Sequence, residues 1–172
     1  MRMGYVIAPG RGDTDLLLAR VAETLQADGV ALCGTVQFNT ACEGEGPCDM
    51  DVRVLPKGPI IRISQSLGPG ARGCRLDPGA LETAIAACEA ELDRADLLIV
   101  NKFGKQEALG RGFRNLIADA MGRGIPVLVG LNALNKEAFD TFTGGAGEAV
   151  SPDHDVIVAW LRDALAEAKT AA

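Results

Sequence analysis

The sequence predicts an α/β protein with a mostly parallel sheet and helices on both faces. Three observations carry this reading. Strand-length apolar runs alternate with amphipathic segments of helical length along most of the chain. The runs at 97–100 and 126–130 are apolar almost throughout instead of at every second residue, which is the pattern of strands buried on both faces. Glycine and proline punctuate the joints, as at Asp28-Gly29 and Gly124. Ligands of such sheets bind at the carboxyl ends of the strands, so the loops that follow strands are the segments to read for function.

The elements follow in order. Residues 4–8 form the first strand and 9–14 the loop after it. A helix at 15–27 takes its apolar positions from Leu16, Leu17, Ala19, Val21, Ala22 and Leu25, with Asp13 or Thr14 as its cap, and Asp28-Gly29 ends it. The second strand is 31–37, and 39–47 is a polar loop. Residues 50–55 and 60–65 are short strands around Pro56-Lys57-Gly58-Pro59, a hairpin signal. The Gly/Pro-rich segment 66–73 is a loop. Asp77 caps a helix that has Pro78 in its first turn and runs to about 93. The strand at 97–100 leads to a loop at 103–112, a helix at 113–123, and the strand at 126–130. A short helix at 135–142, a turn at 144–147, an edge element at Val150 and a helix at 152–171 complete the chain. The strand ends then carry 9–14, 37–40, 101–107 and 130–132. No repeat or linker is visible, so residues 1–172 read as one domain, with the hairpin and Gly/Pro-rich loop as an insertion at about 48–75.

Composition narrows the partners. With 172 residues, 48% hydrophobic and 23% charged, the chain has enough apolar material for a sizeable core. No apolar run approaches the roughly 20 residues that cross a bilayer, and the chain enters its first strand without a leader, so a cytoplasmic protein is expected. A net charge of −6 argues against general nucleic-acid binding. Between Val52 and Leu76, however, there is no Asp or Glu, while Arg53, Lys57, Arg62, Arg72 and Arg75 are all present, which marks an anion surface. Of the five cysteines, Cys33 and Cys88 read as core. Cys42, Cys48 and Cys74 lie among Gly and Pro at spacings that fit no usual zinc pattern, and read as unpaired loop cysteines or, alternatively, as a thiol cluster or redox pair. The sole histidine, His154, reads as a surface residue and supports no hydrolytic triad.

The segment Tyr5-Val6-Ile7-Ala8-Pro9-Gly10-Arg11-Gly12-Asp13-Thr14 reads as strand, Gly-rich turn and helix start, where a phosphate-binding loop belongs. With Leu98-Ile99-Val100-Asn101-Lys102-Phe103-Gly104-Lys105-Gln106-Glu107 it resembles the P-loop nucleoside-triphosphatases of the nucleotide-kinase-like type, in order and spacing, to about residue 134. Gly12, Thr14, Gly104 and Glu107 keep that family's positions. The chemical positions depart from it. Asp13 stands where the lysine belongs, Asn101 and Lys102 where the acidic pair belongs, and Ile7 at the first loop glycine. The resemblance therefore implies a three-layer P-loop-like fold with exchanged charges. Either Asp13 pairs with Lys102 across the pocket or Lys102 supplies the missing cation. A closer resemblance is to a bacterial family of unknown function associated with molybdenum and tungsten metabolism. It is carried by Cys48-Asp49-Met50-Asp51, Arg62-Ile63-Ser64-Gln65, Leu67-Gly68-Pro69-Gly70, Gly73-Cys74-Arg75-Leu76-Asp77 and the segment from Asn101 to Glu107. That resemblance implies a metabolic setting and no settled activity.

The expected ligand is a small anion. Gly10, Arg11, Gly12, Asp13 and Thr14 would offer it backbone N–H groups at a helix N-terminus. Arg62, Ser64, Gln65, Arg72 and Arg75 would offer forked and neutral donors. Asn101, Lys102 and Lys105 would face it from the later strand. The expected function is a degenerate P-loop-like protein that binds a nucleotide or a phosphate-like oxyanion, molybdate and tungstate included, with magnesium lacking its usual carboxylate. One alternative is an active NTPase or phosphotransferase in which Glu107 or Asp13 is the catalytic or metal-holding group. The other is an interaction protein that keeps only the fold and works as a homodimer.

Overall fold

The computed structural model describes residues 2–10, 12–40, 49–68 and 75–171. Its strands are β1 (Met3–Val6), β2 (Leu32–Thr40), β3 (Asp49–Val54), β4 (Ile60–Arg62), β5 (Leu97–Phe103), β6 (Val127–Leu131) and β7 (Glu148–Ala149). They form one seven-stranded sheet in the order β4-β3-β2-β5-β6-β1-β7. The five strands from β2 to β7 in that order pair in parallel, while β3 and β4 add antiparallel at one edge as the expected hairpin. The helices are α1 (Asp13–Ala27), α2 (Pro78–Glu89), α3 (Lys105–Ala108), α4 (Arg114–Gly122), α5 (Lys136–Thr143) and α6 (His154–Ala171).

The continuous apolar run of β5 is read out by the two faces in turn. Leu98 and Val100 join a core that includes Leu81, Ile85 and Cys88 of α2, Leu116 and Ile117 of α4, and Phe139 of α5. Leu97 and Ile99 join the opposite core with Leu18, Val21 and Leu25 of α1 and Ile157, Leu161 and Leu165 of α6. This is the alternation that a strand buried on both faces requires, and it produces the three-layer architecture that the sequence predicts. Among the described residues no helix is long and apolar enough to cross a membrane.

Several elements differ from expectation at their ends. The cap of α1 is neither Asp13 nor Thr14 but Gly12, at φ 84°, with no side chain capping it. A left-handed residue lets the chain turn sharply into the helix, and glycine alone does so without a Cβ penalty. β2 continues to Thr40 and β5 to Phe103, because each finds a partner strand beyond its apolar run. The second hairpin strand stops at Arg62 rather than residue 65, and beyond it only a single bridge joins Ser64 to Leu76. Within the expected loop 103–112, α3 forms one helical turn. α2 stops at Glu89, and a short 3-10 turn at Leu92–Arg94 follows it. His154 is not a plain surface residue: it is half-buried, with Nε2 2.9 Å from Thr24 Oγ1 at the seam of α1 and α6.

Candidate functional site

The carboxyl ends of β2, β5 and β6 and the start of α1 meet around one cavity of about 810 Å³. Its polar lining includes Gly12, Asp15, Gln37, Asn101, Lys102, Lys105, Gln106 and Asn132, so every strand end picked out in the sequence contributes to it. The volume lies within the usual range for small-molecule sites.

A β-bulge sets the geometry of the central wall. Val100 pairs with Val129 and Phe103 with Leu131, so Asn101 and Lys102 together face the single residue Gly130. An extra residue of this kind redirects neighbouring side chains and is common beside active sites. Here it turns Asn101 inward, 3% exposed, and leaves Lys102 exposed at the cavity. Gly130 makes the bulge possible, because a Cβ there would lie 2.0 Å from the Asn101 carbonyl oxygen.

Inside the wall, Asn101 is held at both of its polar atoms. Its Oδ1 accepts the Gln37 backbone N–H at 2.9 Å, and its Nδ2 donates to Asp15 Oδ1 at 2.8 Å. Gln37 Nε2 lies 3.4 Å from Asp15 Oδ2. Asp15 was not singled out in the sequence, although an acid directly before Leu16-Leu17-Leu18 in the first turn of the helix is the signal that could have found it. At the helix N-terminus this carboxylate also lies where the macrodipole favours negative charge.

Asp13 is exposed and does not line the cavity. Its carboxylate folds back on the loop, so close to Gly10 that a Cβ there would be 2.0 Å from Oδ2. The expected Asp13–Lys102 pair is not formed: among the described residues neither group takes part in an ion pair, and neither does Lys105. Thr14 Oγ1 accepts the Ala8 backbone N–H at 3.2 Å. Both polar atoms of Asn101 are engaged within the wall.

Glu107 is 3% exposed and bridges two backbone segments. Its Oε2 accepts the Gly104 N–H at 2.8 Å and its Oε1 accepts the Phe113 N–H at 3.0 Å, fixing the loop that carries Lys105 and Gln106. Burial raises its pKa above the ordinary 4.5, outweighing the backbone hydrogen bonds that act in the other direction. A carboxylate with a raised folded pKa makes the folded state bind more protons, so stability falls as pH rises through the window above 4.5. Glu107→Gln removes that titration. The wild type's stability advantage over Glu107→Gln, read from urea midpoints, is therefore expected to shrink as pH rises from 4.5. An advantage that grows with pH would contradict this placement.

The basic hairpin departs most from expectation. Arg62 Nη1 lies 2.9 Å from Asp49 Oδ2, and Arg62 Nε lies 3.0 Å from Asp51 Oδ1. Arg75 Nη2 and Ser64 Oγ both reach Asp49 Oδ1, at 3.2 and 3.1 Å. The Arg62, Ser64 and Arg75 donors expected to bind an external anion thus converge on the chain's own Asp49, which lies just before the acid-free stretch and escaped a reading confined to it. Gln65 Nε2 donates to the Leu76 carbonyl. Of this group, Arg75 lines the cavity. Arg11, Arg72, Cys42, Cys48 and Cys74 lie outside the described residues. Cys33 and Cys88 are buried, as expected for core cysteines.

Comparison with known proteins places this geometry in a family. The profile described as "Protein of unknown function (DUF2478)" matches residues 3–160. The chain belongs to this family. A relative of this DUF2478 chain, the molybdenum import ATP-binding protein ModC 2 of Bradyrhizobium diazoefficiens, is 38% identical to it over 171 residues, which are 98% of this chain and 19% of that protein. The chain thus spans about a fifth of that relative's length. Two solved structures share the fold. A human cancer-related nucleoside triphosphatase aligns with a TM-score of 0.60 at 18% identity over 99% of this chain and 97% of its own. THEP1 from the hyperthermophile Aquifex aeolicus aligns with a TM-score of 0.63 at 16% identity over 94% and 96%. The DUF2478 chain thus has a P-loop-NTPase-like fold.

Proposed function

We propose that the strand-end cavity binds a nucleotide or another phosphate-like oxyanion without the lysine and magnesium carboxylate of an ordinary phosphate loop, in the service of molybdenum or tungsten metabolism. The observation that carries this reading is the bulge, which leaves Lys102 exposed at a cavity whose central acid, Asp15, is already held by Asn101. Lys105, three residues on and the first residue of α3, adds a second cation at the same cavity. Both lysines lack an ion-pair partner among the described residues, so an anion binding there would not have to break one. The ATP-binding name of the ModC 2 relative, and the nucleoside-triphosphatase name of a structure with the same fold, support a nucleotide as the anion. The relative's molybdenum import supports the metabolic setting.

Isothermal titration with ATP tests this reading. Binding is expected with and without magnesium at comparable affinity. Lys102→Ala and Lys105→Ala are each expected to weaken it by about tenfold, the scale of one lost charge-assisted contact. ATP binding that needs magnesium, or that both substitutions leave unchanged, would refute the proposed site.

A further inference from the structure

The most exposed large hydrophobic side chains among the described residues are Leu134, Leu16 and Leu109, at 92%, 64% and 58%. One exposed leucine needs no explanation, but a group of them gathered in one place marks a contact surface. Leu109 follows β5, Leu134 follows β6, and Leu16 lies in the first turn of α1 after β1. These three strands are consecutive in the sheet and parallel, so their carboxyl ends lie together. Asp15 beside Leu16, Asn135 beside Leu134, and Gln106, whose carbonyl accepts the Leu109 N–H, all line the strand-end cavity. The three leucines therefore belong to the rim of that cavity.

The charges of the rim are divided. The segment after β5 carries Lys102, Lys105 and Arg111, while the segments after β6 and β1 carry Glu137 and Asp13. All five are exposed, and among the described residues none takes part in an ion pair. Lys136, beside Glu137, is held by Asp140 within α5, and Arg20 lies a turn farther from the strand ends along α1. A patch with a basic half, an acidic half and apolar groups in both is complementary to itself under a two-fold rotation, because each basic half then meets the acidic half of the other copy. An anionic membrane surface would attract the basic half but repel Glu137 and Asp13, so it matches the patch less well.

We propose that a second copy of this chain docks on the rim, forming a two-fold dimer in which Leu16, Leu109 and Leu134 are covered and the two cavities face each other. Arg111 of each protomer lies on the side of the partner's acidic half that carries Glu137.

Sedimentation equilibrium of the whole chain, without added ligand, tests the proposal. The wild type is expected to dimerise as its concentration rises. Leu134→Glu and Leu16→Glu are each expected to raise the dissociation constant by at least about tenfold. Both side chains are exposed, so the fold does not rest on them, circular dichroism checks this, and either variant serves if the other misfolds. Arg111→Glu and Glu137→Arg are each expected to weaken the dimer too, since each places like charges at both symmetry-related contacts. Mixed with one another, these two variants are expected to associate as tightly as the wild type, because each contact then joins opposite charges. A wild type that stays monomeric, a dimer that tolerates both leucine substitutions, or a mixture no tighter than its components would overturn the proposal. Binding of a monomeric chain to phosphatidylserine vesicles, lost with Leu134→Glu, would overturn it as well and assign the rim to a membrane surface.

Discussion

Gly130→Ala is expected to destabilise the protein by about 3–4 kcal/mol, because the added methyl meets backbone in the middle of a sheet. A Cβ at this position would lie 2.0 Å from the Asn101 carbonyl oxygen and 3.0 Å from Leu18 Cδ1. The leucine tip can rotate away, but the carbonyl cannot. It belongs to β5, which is hydrogen-bonded between β2 and β6 and carries core residues of both faces. Relief would require β5 and β6 to separate or the bulge to be rebuilt, and either change moves Asn101 and Lys102. A urea titration read by circular dichroism measures the loss. A cost below about 1 kcal/mol would mean that the two strands separate easily, and the site could not then depend on a fixed bulge.

Asn101→Asp is expected to be nearly as damaging, although the two side chains have nearly the same size and shape. Asn101 Nδ2 lies 2.8 Å from Asp15 Oδ1, and the two residues are 3% and 8% exposed. The substitution replaces a donor with a second carboxylate oxygen facing the first. The loss is expected to be about 3 kcal/mol, as for a buried charge left without its partner. The cause is tested by the swap: Asp15→Asn combined with Asn101→Asp restores one amide and one carboxylate across the same gap. The pair is expected to recover most of the lost stability and to show strong coupling in a double-mutant cycle. Additive losses would contradict the account of the Asp15–Asn101 contact.

The layout of the sheet was legible in the sequence because it rests on long periodic signals. The unbroken apolar runs at β5 and β6 required burial on both faces, and Asp77-Pro78 marked the start of α2. The ends of the strands were less legible, since β2 and β5 continue into polar residues held by partner strands rather than by their own hydrophobicity. The site was half legible. The strand ends that line the cavity were legible, but the pairings within them depend on register. No local pattern states that Asn101 faces Asp15, 86 residues away. Gly130 inside an apolar strand was a readable hint of a bulge, but the residue opposite it follows only from the pairing. The ion pairs of Arg62 were hidden for a related reason. Its partners, Asp49 and Asp51, stand just outside the basic stretch and reach it across the hairpin.

Thermal denaturation with ATP, phosphate, molybdate and tungstate, each with and without magnesium, tests the central claim most directly. It should be run on the wild type and on a Lys102→Ala/Lys105→Ala variant. A ligand that binds only the folded state raises the melting temperature according to its concentration relative to its dissociation constant. The account predicts that ATP raises the wild-type melting temperature equally with and without magnesium, and that the double substitution abolishes the rise. No shift with any anion, or a shift that survives loss of both lysines, would contradict it.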